Sequence, residues 1–335
     1  EDVMERDKKN NEYEAVQREK KKKKKGLQRL QAERILPEAA VTASVNGRTV
    51  NMIEPIRALL YSASMAIALR LSGRTRGSRY GLLVGNYITC VLIAWLSMPE
   101  KAIVPANRAM WTAMAAGMFN GFIFLTDLLL FQLNIRKNGA VLATTFSKLG
   151  LLIPVSASIL FLGERPTALQ MLGMLLVLAA ILLIHLEKGE AKASFKTGLL
   201  LLLLFYGIGD GMAKVFEHIG ERRYDGLFLF YTFITALFLS SSLFAAELKR
   251  EKKKLQAAEL LSGITVGVPN YLSSLLLLKA VTKLPAYVVY PCYSVGAVLV
   301  VCVVSILFLK DRMTKHQALG CGVILAALVL LNIKS

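Results

Sequence analysis

From Met52 onward the chain alternates between apolar runs of about 20 residues and short charged connections, and a run of that length is what a helix needs to cross a bilayer. The pattern predicts ten helices, over residues 55–71, 80–98, 109–132, 138–162, 166–185, 197–216, 226–245, 259–279, 284–309 and 316–333. The first is the weakest, because only Ala58 to Leu69 is free of charge and Arg57 and Arg70 must snorkel to the two interfaces. Residues 1–51 contain no run of spanning length, and the connections are too short to hide a soluble domain. The expected architecture is therefore an all-α membrane protein, with any function carried out in or across the membrane.

An internal repeat organises these helices. The segment Phe161-Leu-Gly-Glu-Arg-Pro-Thr-Ala-Leu-Gln-Met-Leu-Gly173 aligns without gaps to Phe308-Leu-Lys-Asp-Arg-Met-Thr-Lys-His-Gln-Ala-Leu-Gly320. Phe, Leu, Arg, Thr, Gln, Leu and Gly recur, and Glu164 is matched by Asp311. At the same offset Ser147 pairs with Ser294, and Gly117-x-x-x-Gly121 is echoed by Gly263-x-x-x-Gly267. Two halves of five helices follow, over 52–186 and 195–335. Five is odd, so the second half enters from the opposite side, an inverted repeat of the kind that secondary transporters use. The glycine pairs let neighbouring backbones come close, and contacts inside the bundle are expected over dimerisation, with a monomer or a homodimer both compatible. Gly207-x-x-x-Gly211 predicts a further close approach or a local loosening of the sixth helix.

Charge changes the picture less than its size suggests. The 335 residues carry a formal +18, but a basic nucleic-acid-binding protein would spread that charge over a polar surface, whereas here it sits mostly between apolar runs. Residues 1–51, with 13 basic and 9 acidic groups including Lys20 to Lys25, read as a solvated, disordered tail that can touch anionic lipid headgroups. No cleaved leader is expected ahead of the first helix. Basic residues are denser in the connections after odd-numbered helices, and counting the tail reverses that bias, so the positive-inside rule leaves orientation open. Cys90, Cys292, Cys302 and Cys321 stand singly inside apolar runs and indicate neither a disulfide framework nor a zinc site.

Ten spans as two five-helix repeats, each closing on a Phe-Leu-(Gly/Lys)-(Glu/Asp)-Arg-x-Thr turn before a Gly- and Ala-rich helix, resemble the drug/metabolite transporter superfamily, specifically its EamA-type permeases. The resemblance covers roughly residues 53–333, and Gly163-Glu164-Arg165 is its most specific piece; Lys310 and Asp311 depart from it in the second copy. It implies a multi-pass permease of the plasma or inner membrane, with lipids and a small-molecule substrate as partners. The family serves amino acids, drugs, nucleosides and sugars on one scaffold, so the substrate is not implied.

Charged side chains inside spans cost about 3 kcal/mol each on insertion scales and are candidate functional groups. Asp127 lies in the third helix, Lys148 in the fourth, and Asp210 and Lys214 at i and i+4 in the sixth, on one face with Tyr206. Either these groups line a substrate cavity, or Asp210 pairs with Lys214 and Asp127 with Lys148 to lock the bundle. In the first case Lys148, with Thr144 and Thr145 a turn earlier, offers donors to a substrate carboxylate or phosphate. Burial favours the uncharged form of a carboxyl group, which makes Asp127 or Asp210 the candidate carrier of a coupling proton. Tyr287, Tyr290 and Ser294 share one face of the ninth helix beside Pro291, with Cys292 and Tyr293 set apart. Asn86, Asn120 and Asn270 complete the substrate-binding candidates, each also able to bond a neighbouring helix.

The leading expectation is a secondary transporter, not an enzyme, that exports or exchanges a small polar metabolite such as an amino acid against a proton or counter-substrate. No cofactor, metal or nucleic acid is expected. No Gly-Lys dipeptide exists to form a Walker A motif, and His185, His218 and His316 fall at helix ends, away from any mid-membrane hydrolase site. The alternatives are a flippase for a lipid-linked sugar, which needs a polar groove open sideways, and a non-transporting scaffold, which needs the four charges to form satisfied pairs.

Overall fold

The computed structural model describes residues 42–45, 48–51, 53–72, 78–98, 101–185, 195–251, 257–309 and 314–332. Two short strands, β1 (Thr42–Val45) and β2 (Arg48–Asn51), pair within the segment expected to be a disordered tail. Thr42, Val45, Thr49 and Val50 flank the dipeptide Asn46-Gly47, a hairpin composition that the all-α reading passed over. The helices are α1 (Ile53–Ser72), α2 (Arg79–Ser97), α3 (Arg108–Asn138), α4 (Ala140–Leu149), α5 (Leu152–Phe161), α6 (Ala168–His185), α7 (Lys196–Ile219), α8 (Asp225–Glu251), α9 (Ala257–Val281), α10 (Ala286–Leu309) and α11 (Lys315–Asn332).

Among the described residues seven segments are long and apolar enough to cross a membrane: α2, α3, α4 with α5 over Leu142–Phe161, α7, α8 with the short turn before it, α9 and α10. Helices α6 and α11 are shorter and apolar. Large side chains on the outside of the bundle are apolar, among them Leu92, Leu96, Trp111, Phe122, Phe161, Leu175 and Phe238, as a lipid-facing surface requires. At the end of α2, Lys101 donates to the carbonyls of Trp95 (2.8 Å) and Leu96 (3.2 Å) and lies 4.5 Å from the Trp95 ring centroid. A cation on the last carbonyls of a helix beside an indole is an interfacial anchor.

The most extensive packing joins α2 to α9, α3 to α8, α6 to α11 and α2 to α8. Exchanging the two repeats turns α2–α9 into α8–α3 and returns the other two pairs to themselves, so the halves pack as equivalents. Glycine decides two of these contacts. A Cβ on Gly117 or Gly121 would overlap the α8 backbone at Phe228 and Thr232, and one on Gly263 or Gly267 would overlap α2 at Leu82 and Asn86. Both pairs therefore serve packing inside the bundle. In the middle, Tyr87, Phe124, Phe228, Phe233 and Tyr271 fill the space that the close helices enclose.

The repeated Thr-x-x-Gln has a local cause. Thr167 N–H donates to Gln170 Oε1 at 2.9 Å and Gln170 N–H to Thr167 Oγ1 at 3.4 Å; Thr314 and Gln317 do the same at 3.2 Å each way. Both last helices of the repeats open on a reciprocal capping box. Thr167→Ala is expected to cost about 1 kcal/mol and lower the thermal midpoint in detergent by a few degrees; an unshifted midpoint would show that the box contributes nothing.

The predicted fourth helix is not continuous. It breaks at Gly150 and Leu151 into α4 and α5, because Pro154 has no N–H to donate to the Gly150 carbonyl. Gly139, at φ 83°, separates α3 from α4 in a conformation that glycine adopts at no steric cost.

Candidate functional site

The break in the fourth segment lies against α7. Gly207 of α7 meets the Gly150 carbonyl and Ile153, and Gly211 meets Pro154. Of the two readings of this glycine pair, the structure takes the close approach, with α7 remaining a continuous helix from Lys196 to Ile219. The crossing fixes the neighbouring side chains. Lys148 stands two residues before the break, and Tyr206 and Asp210 flank the glycines on α7. The Lys148 ammonium consequently lies 5.8 Å from the Tyr206 ring centroid, within cation–π range.

Asp127 of α3 joins this group. Lys148 interacts electrostatically with both Asp210 and Asp127, Asp127 with Asp210, and Tyr206 with both carboxylates and with Tyr293. All four side chains are half-buried in the span region. Two carboxylates thus face one amine, three helices converge on it, and an aromatic face closes one side.

Helix α10 borders the same group. The Tyr290 hydroxyl donates to the Asp210 backbone carbonyl at 3.0 Å. Tyr293, set apart in the sequence reading, shares a hydrogen bond of 2.8 Å with Ser273 of α9 and interacts with Asp210. In a continuous helix Tyr293 stands at i+3 from Tyr290, so the spacing itself placed it beside that face.

Lys214 goes elsewhere. Its ammonium pairs with Glu164 at 3.3 Å and Glu217 at 3.0 Å and donates to the Val281 carbonyl at 3.3 Å. The intrahelical Asp210–Lys214 pair is not formed. Glu164, which the sequence reading treated only as part of the repeated turn, is the acid that matters here, and Tyr287 interacts electrostatically with it.

The three asparagines join helices. Asn270 donates to Asn86 Oδ1 at 3.2 Å, joining α9 to α2, and Asn120 donates to Thr232 Oγ1 at 3.3 Å, joining α3 to α8. Asn120 and Asp127 therefore serve different contacts despite their shared face. Thr144 is half-buried, with its carbonyl accepting from Ser147 Oγ at 2.9 Å; Thr145 and Ser294 are buried. Among the described residues no group of three or more His, Cys, Asp or Glu is placed to hold a metal ion.

A bundle of helices long and apolar enough to cross a membrane, apolar on its outside, is a multi-pass membrane protein. The chain matches the EamA-like transporter family model twice, over residues 49–186 and 195–333, and belongs to that family. It is also similar to a solved crystal structure at 12% identity and a TM-score of 0.67, covering 83% of this chain and 95% of that one, which supports the fold alone. No curated protein matches it.

Proposed function

We propose that the protein is a secondary transporter crossing the membrane ten times as two inverted five-helix repeats, bounded at 52–186 and 195–335, in the plasma or inner membrane. It moves a small polar metabolite through a site built from Asp127, Lys148, Asp210 and Tyr206, by proton coupling or exchange. The observation that carries this reading is the unequal grouping of the three charges. Lys214 is held in direct ion pairs of 3.3 and 3.0 Å with Glu164 and Glu217 at the end of the bundle, whereas Asp127 and Asp210 share Lys148 and, among the described residues, no ion pair within 4 Å ties it to either. Such a group can exchange partners with a polar substrate or a proton at small cost.

The flippase reading draws less support. The open crevice of about 590 Å³ between α4 and α7 is lined by Leu142, Phe146, Leu199 and Leu200, with only Lys196 and Thr197 polar. A sugar headgroup would find few partners along it. The test is uptake into proteoliposomes from a panel of amino acids, nucleosides and sugar phosphates, with and without a pH gradient. Uptake of a panel member above protein-free liposomes is expected, accelerated by the gradient or by trapped counter-substrate; failure with every member contradicts the proposal.

A further inference from the structure

Lys214 stands one helical turn beyond Asp210 on α7, at the end of the bundle formed by the α5–α6 turn, the α7 and α9 C-termini and the start of α10. Four pieces of chain meet there. Glu164 spreads both carboxylate oxygens over the Ala286 N–H, at 3.0 and 2.8 Å, so an anion receives the first free donor of α10. Lys214 binds that same carboxylate, Glu217 and the Val281 carbonyl. The three ionic side chains are 13 to 23% exposed, shielded enough to attract strongly and wet enough to separate.

The opposite end of α7 is fastened with different chemistry. There Asn138 accepts from Phe195 N–H at 2.8 Å and donates to the Phe195 carbonyl at 3.1 Å, while Asn134 donates to the Gly198 carbonyl at 2.8 Å. One end is held by neutral hydrogen bonds and the other by ions. The ionic end is also tied to the charged centre through two helices at once. On α7, Lys214 lies four residues from Asp210; on α10, Tyr290 lies four residues from Ala286 and bonds the Asp210 carbonyl. A displacement of α10 from α7 would break both connections together.

We propose that Glu164, Lys214 and Glu217 form a latch that holds this end of the bundle closed and releases α10 from α7 when the centre opens to that side. The assignment of the centre as a transport site rests on the reading above, but the latch is measurable without any substrate. Hydrogen–deuterium exchange of the full chain in lipid nanodiscs reads it directly. In Glu164→Gln and in Lys214→Met, amides of the first turn of α10 are expected to exchange about tenfold faster, the loss of one charge-assisted hydrogen bond. The double variant should exchange no faster than the faster single one, because both remove the same contact. Amides around Asn134, Asn138 and Gly198 should be unchanged.

Lys214 does not touch Ala286, so its effect there separates a latch from a local cap. Wild-type exchange at α10 in Lys214→Met, or equal acceleration at both ends of α7, would overturn the proposal. Should Glu164→Gln fail to fold, Glu217→Gln removes one of the two carboxylate partners of Lys214, and unaltered exchange at α10 would overturn it equally. Absence of transport in liposomes with the exchange pattern intact would instead refute the transport reading alone.

Discussion

Gly207→Leu is expected to destroy the folded protein or, where a folded fraction survives, its activity. Gly207 lies where α7 crosses the broken segment, and even a Cβ there would overlap the Gly150 carbonyl and Ile153. A leucine adds further volume with backbone on the facing side, which cannot turn away as a side chain can. Overpacking of this kind costs about 1–3 kcal/mol where side chains can yield, and more here. Gly322→Leu is the matched control, since nothing lies within 4 Å of a Cβ at that position on the exposed face of α11. Monodisperse elution from size exclusion and the thermal midpoint in detergent measure both; a Gly207→Leu protein as stable as Gly322→Leu would show that the crossing is looser than the structure has it.

The second large effect is expected at Lys148. Its replacement by alanine removes the cation that interacts with both Asp127 and Asp210 and leaves two acids that interact with each other inside a span, a cost that a proton taken up by either relieves. The acids can protonate, so the variant is expected to remain folded while losing at least about tenfold in transport rate, a difference of about 1.4 kcal/mol or more in activation free energy. Lys148→Arg keeps the charge but replaces a compact ammonium with a planar fork over Tyr206, and partial activity is expected. Full activity in Lys148→Ala, with normal membrane levels, would remove this residue from the mechanism.

Much of this molecule was legible in its sequence because the lipid and the bundle interior ask for the same thing, apolar helices of bilayer length. The charged ends were less so: α3 runs on through Arg136 and Lys137, and α8 through Lys249 and Arg250, where helical hydrogen bonding continues past the apolar run. The break at Gly150 lay inside the predicted span 138–162, with Gly150 itself and Pro154 as its signals. The repeated Thr and Gln were visible as a repeat, and their physical reason, a capping box, was equally available from the spacing.

Partner choice was harder to read. Asp210 and Lys214 are four residues apart, which suggests a pair, yet helix α7 delivers Lys214 to Glu164, a residue fifty positions earlier in a connecting turn. Sequence spacing reports which side chains share a face of one helix and says nothing about which other helix lies opposite. The same limit left the three asparagines ambiguous until Asn86 met Asn270 and Asn120 met Thr232.

The central claim is that solute crosses the membrane through the group formed by Asp127, Lys148 and Asp210. Its most direct measurement is the initial rate of radiolabelled uptake into proteoliposomes holding equal amounts of wild-type and Lys148→Ala protein, against protein-free liposomes. Saturable uptake by the wild type that falls to the protein-free rate in Lys148→Ala is the predicted result, and equal uptake by the two proteins would contradict it.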